Sequence, residues 1–106
     1  MARITSSFFL DQDDKPVTSP IQITRRWQEF DFAFIELKSP VDGETYRFRL
    51  LGERQLDNDR FVYLCLPAAL SDGNTDDLMV YKFVDNDNVA SVKKDQLNLA
   101  ARLWHD

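Results

Sequence analysis

The chain has 106 residues, 43% hydrophobic and 29% charged, the length and composition of one globular domain and too apolar for a wholly disordered chain. Its formal net charge of -5 argues against nucleic acid or an anionic membrane as partner, since both recruit Lys and Arg; it suits steering toward a protein with a basic surface. The single cysteine, Cys65, rules out an intrachain disulfide, and no run approaches the ~18 apolar residues of a membrane span.

Met1 to Leu10 carries one positive side chain and a short apolar patch before Asp11, Asp13 and Asp14. That is unlike a signal peptide, so a cytoplasmic location is expected. Residues 1–23 read as an N-terminal arm or an edge hairpin in which Phe8-Phe9-Leu10 and Val17 meet Ile21-Gln22-Ile23. The polar turn Asp11 to Pro16 and the breaker Ser19-Pro20 set this segment apart. Residues 24–106 read as a single β-rich domain.

Phe30 to Leu37 is a run of aromatic and aliphatic residues that ends at Ser39-Pro40-Val41-Asp42-Gly43-Glu44. Asp-Gly between two such runs predicts a hairpin, because the turn needs φ > 0 and Gly tolerates it. Thr45 to Leu50 follows, with Tyr46, Phe48 and Leu50 alternating against Thr45, Arg47 and Arg49. Period two predicts one buried and one wet face. After the turn Leu56 to Asp59, Arg60 to Leu66 shows no polar alternation, as expected of a strand buried on both faces.

Pro67 stops that run, and residues 71–77 read as a loop. Leu78 to Val84 is a further strand, Asp85 to Asn88 a turn, and Val89 to Val92 a short last strand. Leu97, Ala100, Ala101 and Trp104 then fall on one helical face, predicting a helix over 95–105 with Asp95 as N-cap. A helix so short must dock on the sheet to be stable. The expected fold is α+β, mainly β: an antiparallel sheet of four to six strands, as a meander or small open barrel, with one C-terminal helix packed on it.

Catalytic chemistry finds few candidates. A Ser-His or Cys-His arrangement would have to use His105, the only histidine, which lies where chains fray and a general base cannot be positioned. Cys65 lies between Leu64 and Leu66, an apolar setting opposite to what activates a thiol. One Cys and one His cannot make a zinc site of the Cys/His type. Calcium-loop spacing starts at Asp72, Asn74 and Asp76 but meets Asp77 where Gly belongs and Phe83 where the bidentate Glu belongs. Gly43, Gly52 and Gly73 stand too far apart for a phosphate cradle. No enzyme, cofactor or metal is expected.

Arg25-Arg26 precede Trp27, and Arg47 and Arg49 share a strand face. Arginine interleaved with aromatics can clamp single-stranded nucleic acid. Tyr46 and Phe48, however, point away from Arg47 and Arg49 on a regular strand. Cross-strand pairing with acids such as Glu36 or Asp31 is the expected arrangement.

Asp42-Gly43-Glu44, Phe48-Arg49-Leu50-Leu51, Leu56-Asp57, Phe61-Val62-Tyr63-Leu64, Pro67, Asp76-Asp77 and Val80-Tyr81, with a closing helix that ends near an aromatic, resemble the YrzB-like family of small acidic bacterial proteins of unknown function. The resemblance spans Ile35 to the C-terminus, implies a fold of this kind and transfers no site. The functional expectation is a non-enzymatic protein-binding module, an accessory subunit, adaptor or inhibitor that occupies a partner's surface. Phe8, Phe9, Leu10 and Trp27 are its contact candidates, since aromatics dominate interface hot spots. The alternatives are an acidic immunity or phage-type inhibitor covering a basic active site, and a structural protein that self-associates through open sheet edges into a homo-oligomer.

Overall fold

The computed structural model describes residues 3–67 and 77–105. These form β1 (Arg3–Thr5), β2 (Ile21–Glu29), β3 (Phe32–Lys38), β4 (Thr45–Leu56), β5 (Asp59–Cys65), β6 (Asp77–Phe83), β7 (Asn88–Ser91) and helix α1 (Lys94–His105). From β2 to β7 each strand pairs antiparallel with the next. β7 then returns to β2 through Ile21↔Val89 and Gln22↔Asn88. The expected meander or small open barrel is thus a meander whose six strands close on themselves, so the barrel is not open. β1 adds a seventh strand, parallel to β6. Three residues are too few to show a period, so the sequence carries no signal for it.

Alternation inside the barrel follows the expected pattern. Ile35 and Leu37 of β3, Phe48 of β4, Val62 and Leu64 of β5, Tyr81 of β6 and Val89 of β7 share one buried cluster, with Tyr46 and Leu50 packed against it. Residues Ser6 to Pro20 cap one end. Leu10 bridges Pro16, the Val17 amide donates to the Phe9 carbonyl at 3.1 Å, and Asp11 Oδ1 accepts from the Asp13 and Lys15 amides. This small hairpin drives Phe9 and Val17 into the core. It pairs with itself, while Ile21 to Ile23 begin β2, so a boundary at residue 23 falls inside that strand.

The second cluster lies outside the barrel, between α1 and strands β5 and β6: Phe61, Tyr63, Leu78, Val80, Val92 and Ala100, joined by Leu51, Leu97, Leu103 and Trp104. This is why β5 reads as apolar on both faces. A register shift between Leu50 and Gly52 reverses the alternation of β4, so that Gly52 and Arg54 face the helix. Trp104 stacks on Tyr63 at 4.6 Å under Arg54, and the Tyr63 hydroxyl donates to the Ala100 carbonyl at 2.7 Å. A Cβ at Gly52 would lie 3.2 Å from the Trp104 ring. The helix starts one residue before the expected position. The Lys93 carbonyl accepts from the Gln96 and Leu97 amides, and Asp95 sits in the first turn, where its charge favours the helix dipole.

The turns use their residues as expected. Gly43 has φ 74° and Asp57 φ 56°. Asp85 Oδ1 accepts from the Asp87 amide and the Asn88 side chain. The region 68–76, with the calcium-type spacing that starts at Asp72, lies outside the described residues.

Ser6 occupies the seam where β6 leaves β1 for β7. Its buried hydroxyl donates to the Val80 carbonyl at 2.6 Å and accepts from the Val92 amide at 2.7 Å. Ser6→Ala strands both groups, so it should lower the unfolding free energy by about 1–3 kcal/mol. Ser7→Ala, at an exposed neighbour, should stay within about 0.5 kcal/mol of wild type. Urea titration of the two variants checks this.

Candidate interaction face

The helix covers β5 and β6, and among the described residues the outer face of β2, β3 and the first half of β4 has no second layer. Arg25 and Trp27 from β2, Phe32, Phe34 and Glu36 from β3, and Arg47 and Arg49 from β4 fall on this face by register. A second register shift, between Ile23 and Arg25, brings Trp27 opposite Phe34. The two rings stack at 5.4 Å and 17°. Arg25 lies 4.5 Å and Arg47 5.8 Å from the Trp27 centroid, and Arg49 lies 4.2 Å from that of Phe32. Planar guanidinium groups thus roof aromatic rings that no helix covers.

Two acids, Glu29 and Glu36, fall on the same face. Glu36 pairs with Arg47 at 3.2 Å, the cross-strand pairing expected from sequence, and accepts from the Thr24 hydroxyl at 2.9 Å. The Thr24 hydrogen bond is the largest single cause that holds its carboxyl below the ordinary glutamate value; burial opposes it, and Arg47 and Arg25 add to it. Arg25 and Arg49 have no carboxylate partner among the described residues. Arg26 points to the other side of the strand. There Glu53 bridges it to Arg60 across the barrel mouth, at 3.2 and 3.3 Å.

At the end of this face Phe30 and Asp31 form a two-residue turn between β2 and β3. The sequence reads them as the start of a strand. Phe30 has φ 57° and is 94% exposed. An aromatic residue at left-handed φ is a backbone outlier, since Gly, Asn or Asp fills such positions at lower cost. Phe32, two residues on, is 41% exposed.

The four expected contact residues separate. Phe9 is 4% exposed and packs edge-on against Tyr46 and Phe48, a core residue. Phe8 lies over the same rings at the rim, and Leu10 is exposed beside Pro16. Trp27 alone belongs to the arginine-aromatic face, about half-buried by Phe34. Phe30, Phe32, Phe34 and Arg49 were missing from the expected set. A turn signal at Phe30-Asp31 would have revealed them, and Phe-Asp is a weak one.

Elsewhere, burial raises the Cys65 thiol above its ordinary value, partly offset by Arg49. Burial also pushes the Tyr81 hydroxyl up, against the opposing pull of the Phe8 and Phe9 amides, neither of which reaches it in hydrogen-bond geometry. No group of three or more His, Cys, Asp or Glu among the described residues is placed to hold a metal. No helix of the described residues is long and apolar enough to cross a membrane.

Because Thr24 is the main cause of the low Glu36 value, Thr24→Val should move the Glu36 carboxyl midpoint upward in an NMR pH titration. The ionised form is the one the fold favours. Its contribution to stability is therefore complete above the ordinary glutamate range and lost as pH falls through the folded-state value. Asp42 and Asp85, lowered chiefly by the Glu44 and Asp87 amides, add loss in the same direction. No protein-family model, curated protein or solved structure matches the chain.

Proposed function

We propose that the chain is a non-enzymatic protein-binding module that occupies a partner's surface through the β2–β3–β4 face and its Phe30 tip. The observation that carries this is Phe30, a fully presented aromatic ring held at a backbone conformation that disfavours it. Strain of this sort persists where it serves a site. A large aromatic at a protruding turn is the usual form of an interface anchor.

The chemistry of the face selects the partner. Its cations without a carboxylate partner among the described residues, exposed Arg25 and half-buried Arg49, complement carboxylates, so the contacted surface is acidic at this point even though the chain as a whole is acidic. Trp27 already gives ring surface to Arg25 and Phe34, which leaves less for stacking on a nucleic-acid base. Closure of the barrel through Ile21 and Gln22 shortens the open edge of β2 on which self-association would rest.

Phe30→Asn separates packing from presentation. Asn tolerates left-handed φ, so the variant should hold or raise the unfolding free energy, by up to about 1 kcal/mol. In quantitative affinity capture from the source organism it should recover the wild-type partner at least roughly tenfold less well. Equal recovery removes Phe30 from the interface. A chain that retains no partner saturably contradicts the binding reading itself.

A further inference from the structure

β2 has nine residues, but β7 pairs only with Ile21 and Gln22, and the Asp87 carbonyl takes the Ile23 amide at 2.7 Å. From Thr24 to Glu29 the strand pairs with β3 on one side and with no described strand on the other. The turn Phe30-Asp31 closes on Glu29↔Phe32. A two-residue hairpin loop closes on a pair that exchanges both backbone hydrogen bonds, and such pairs then alternate along the ladder. Trp27 and Arg25 therefore bond to β3, while the N–H and C=O groups of Gln28 and Arg26 point to the open side. Both residues are exposed.

Between Thr24 and Glu29 this edge has no Pro, and what guards it is the register shift at Ile23/Arg25 and its charges. Its free cation is Arg25, which projects to the outer face with no carboxylate partner among the described residues; Arg26 projects to the inner face, where it pairs with Glu53, and Glu29 stands at the far end of the outer face. Beside it opens a cleft of about 350 Å³ lined by Arg26, Trp27, Gln28, Ala33, Phe34 and Leu50.

We propose that the free edge of β2 accepts an extended acidic segment of a protein partner as an added antiparallel or parallel strand. Arg26 and Gln28 supply main-chain hydrogen bonds, Arg25 meets its carboxylates on the outer face, and the cleft takes an apolar side chain. Strand addition of this kind draws affinity from the main chain and specificity from alternate side-chain positions. The proposal rests on the protein-binding reading and assigns that reading its partner class.

The test uses the full chain and three end-blocked octapeptides: alternating Asp and Val, alternating Lys and Val, and the Asp-Val peptide N-methylated at alternate residues. NMR and calorimetry should show one-to-one binding of the Asp-Val peptide, with amide shifts centred on Arg26 and Gln28. Its affinity should fall as salt rises. The Lys-Val and N-methylated peptides should bind at least roughly tenfold more weakly. Gln28→Pro removes only an unpaired N–H, a place where edge strands tolerate Pro. It should fold and lose the peptide to a similar degree.

Equal binding of the Asp and Lys peptides overturns the acidic assignment. Binding that N-methylation and Gln28→Pro leave intact overturns strand addition, as does no binding of the Asp-Val peptide at millimolar concentration. A dimer in sedimentation that Gln28→Pro dissociates would place a second copy on this edge and overturn the peptide. A captured partner lost by Phe30→Asn and kept by Gln28→Pro sinks strand addition while the binding reading stands.

Discussion

The structure depends on the way β6 shares its edges. One side runs along β5, while the other meets β1 first and β7 afterwards. Because β7 also reaches β2, this arrangement closes the meander and creates an inside. Closure turns alternating strands into a packed core, and it satisfies backbone groups that an open six-strand sheet would leave at two edges. The changeover on β6 would leave polar groups stranded in an apolar seam. The Ser6 hydroxyl fills that role by bonding the Val80 carbonyl and the Val92 amide together.

Closure also makes the two halves of the barrel unequal. One helix can cover only part of a six-strand circumference. α1 sits on β5 and β6, fixed by Trp104 against Tyr63 and by the Tyr63 hydroxyl at Ala100. Among the described residues the opposite half keeps a single layer. Its apolar rings are covered by guanidinium groups from neighbouring strands, which shield the ring faces while holding charge in water. The same contacts restrain the arginines, so less side-chain freedom is lost when they meet a partner. At one end of this half β7 is too short to accompany β2, and the β2–β3 hairpin projects with Phe30 at its tip.

Much of this was readable where local chemistry and global fold agree. Burial on both sides of β5 shows as the unbroken run Phe61-Val62-Tyr63-Leu64-Cys65, and the helix that causes it shows as Leu97, Ala100, Ala101 and Trp104 at helical spacing. Asp42-Gly43 and Asp57-Asn58 announce their turns. The candidate face was not readable for the opposite reason. Phe30-Asp31 turns the chain with an aromatic where a turn former belongs, and so the long strand Ile21–Glu29 was hidden. Two register shifts, near Ile23 and near Leu50, change which side of β2 and β4 faces out. Period-two reasoning along one strand could separate Arg47 and Arg49 from Tyr46 and Phe48. It could not bring Trp27, Phe32 and Phe34 to them from two other strands.

Among the described residues, no strand or helix covers this half of the barrel, down to the backbone of β2 from Thr24 to Glu29. Amide hydrogen exchange tests this residue by residue. In the isolated protein the Arg26 and Gln28 amides should exchange at nearly the rate of unstructured peptide, while Arg25, Trp27 and Glu29 on either side of them are protected by β3. Protection of Arg26 and Gln28 equal to that of Trp27 would contradict the account, because it would mean that the edge is already covered.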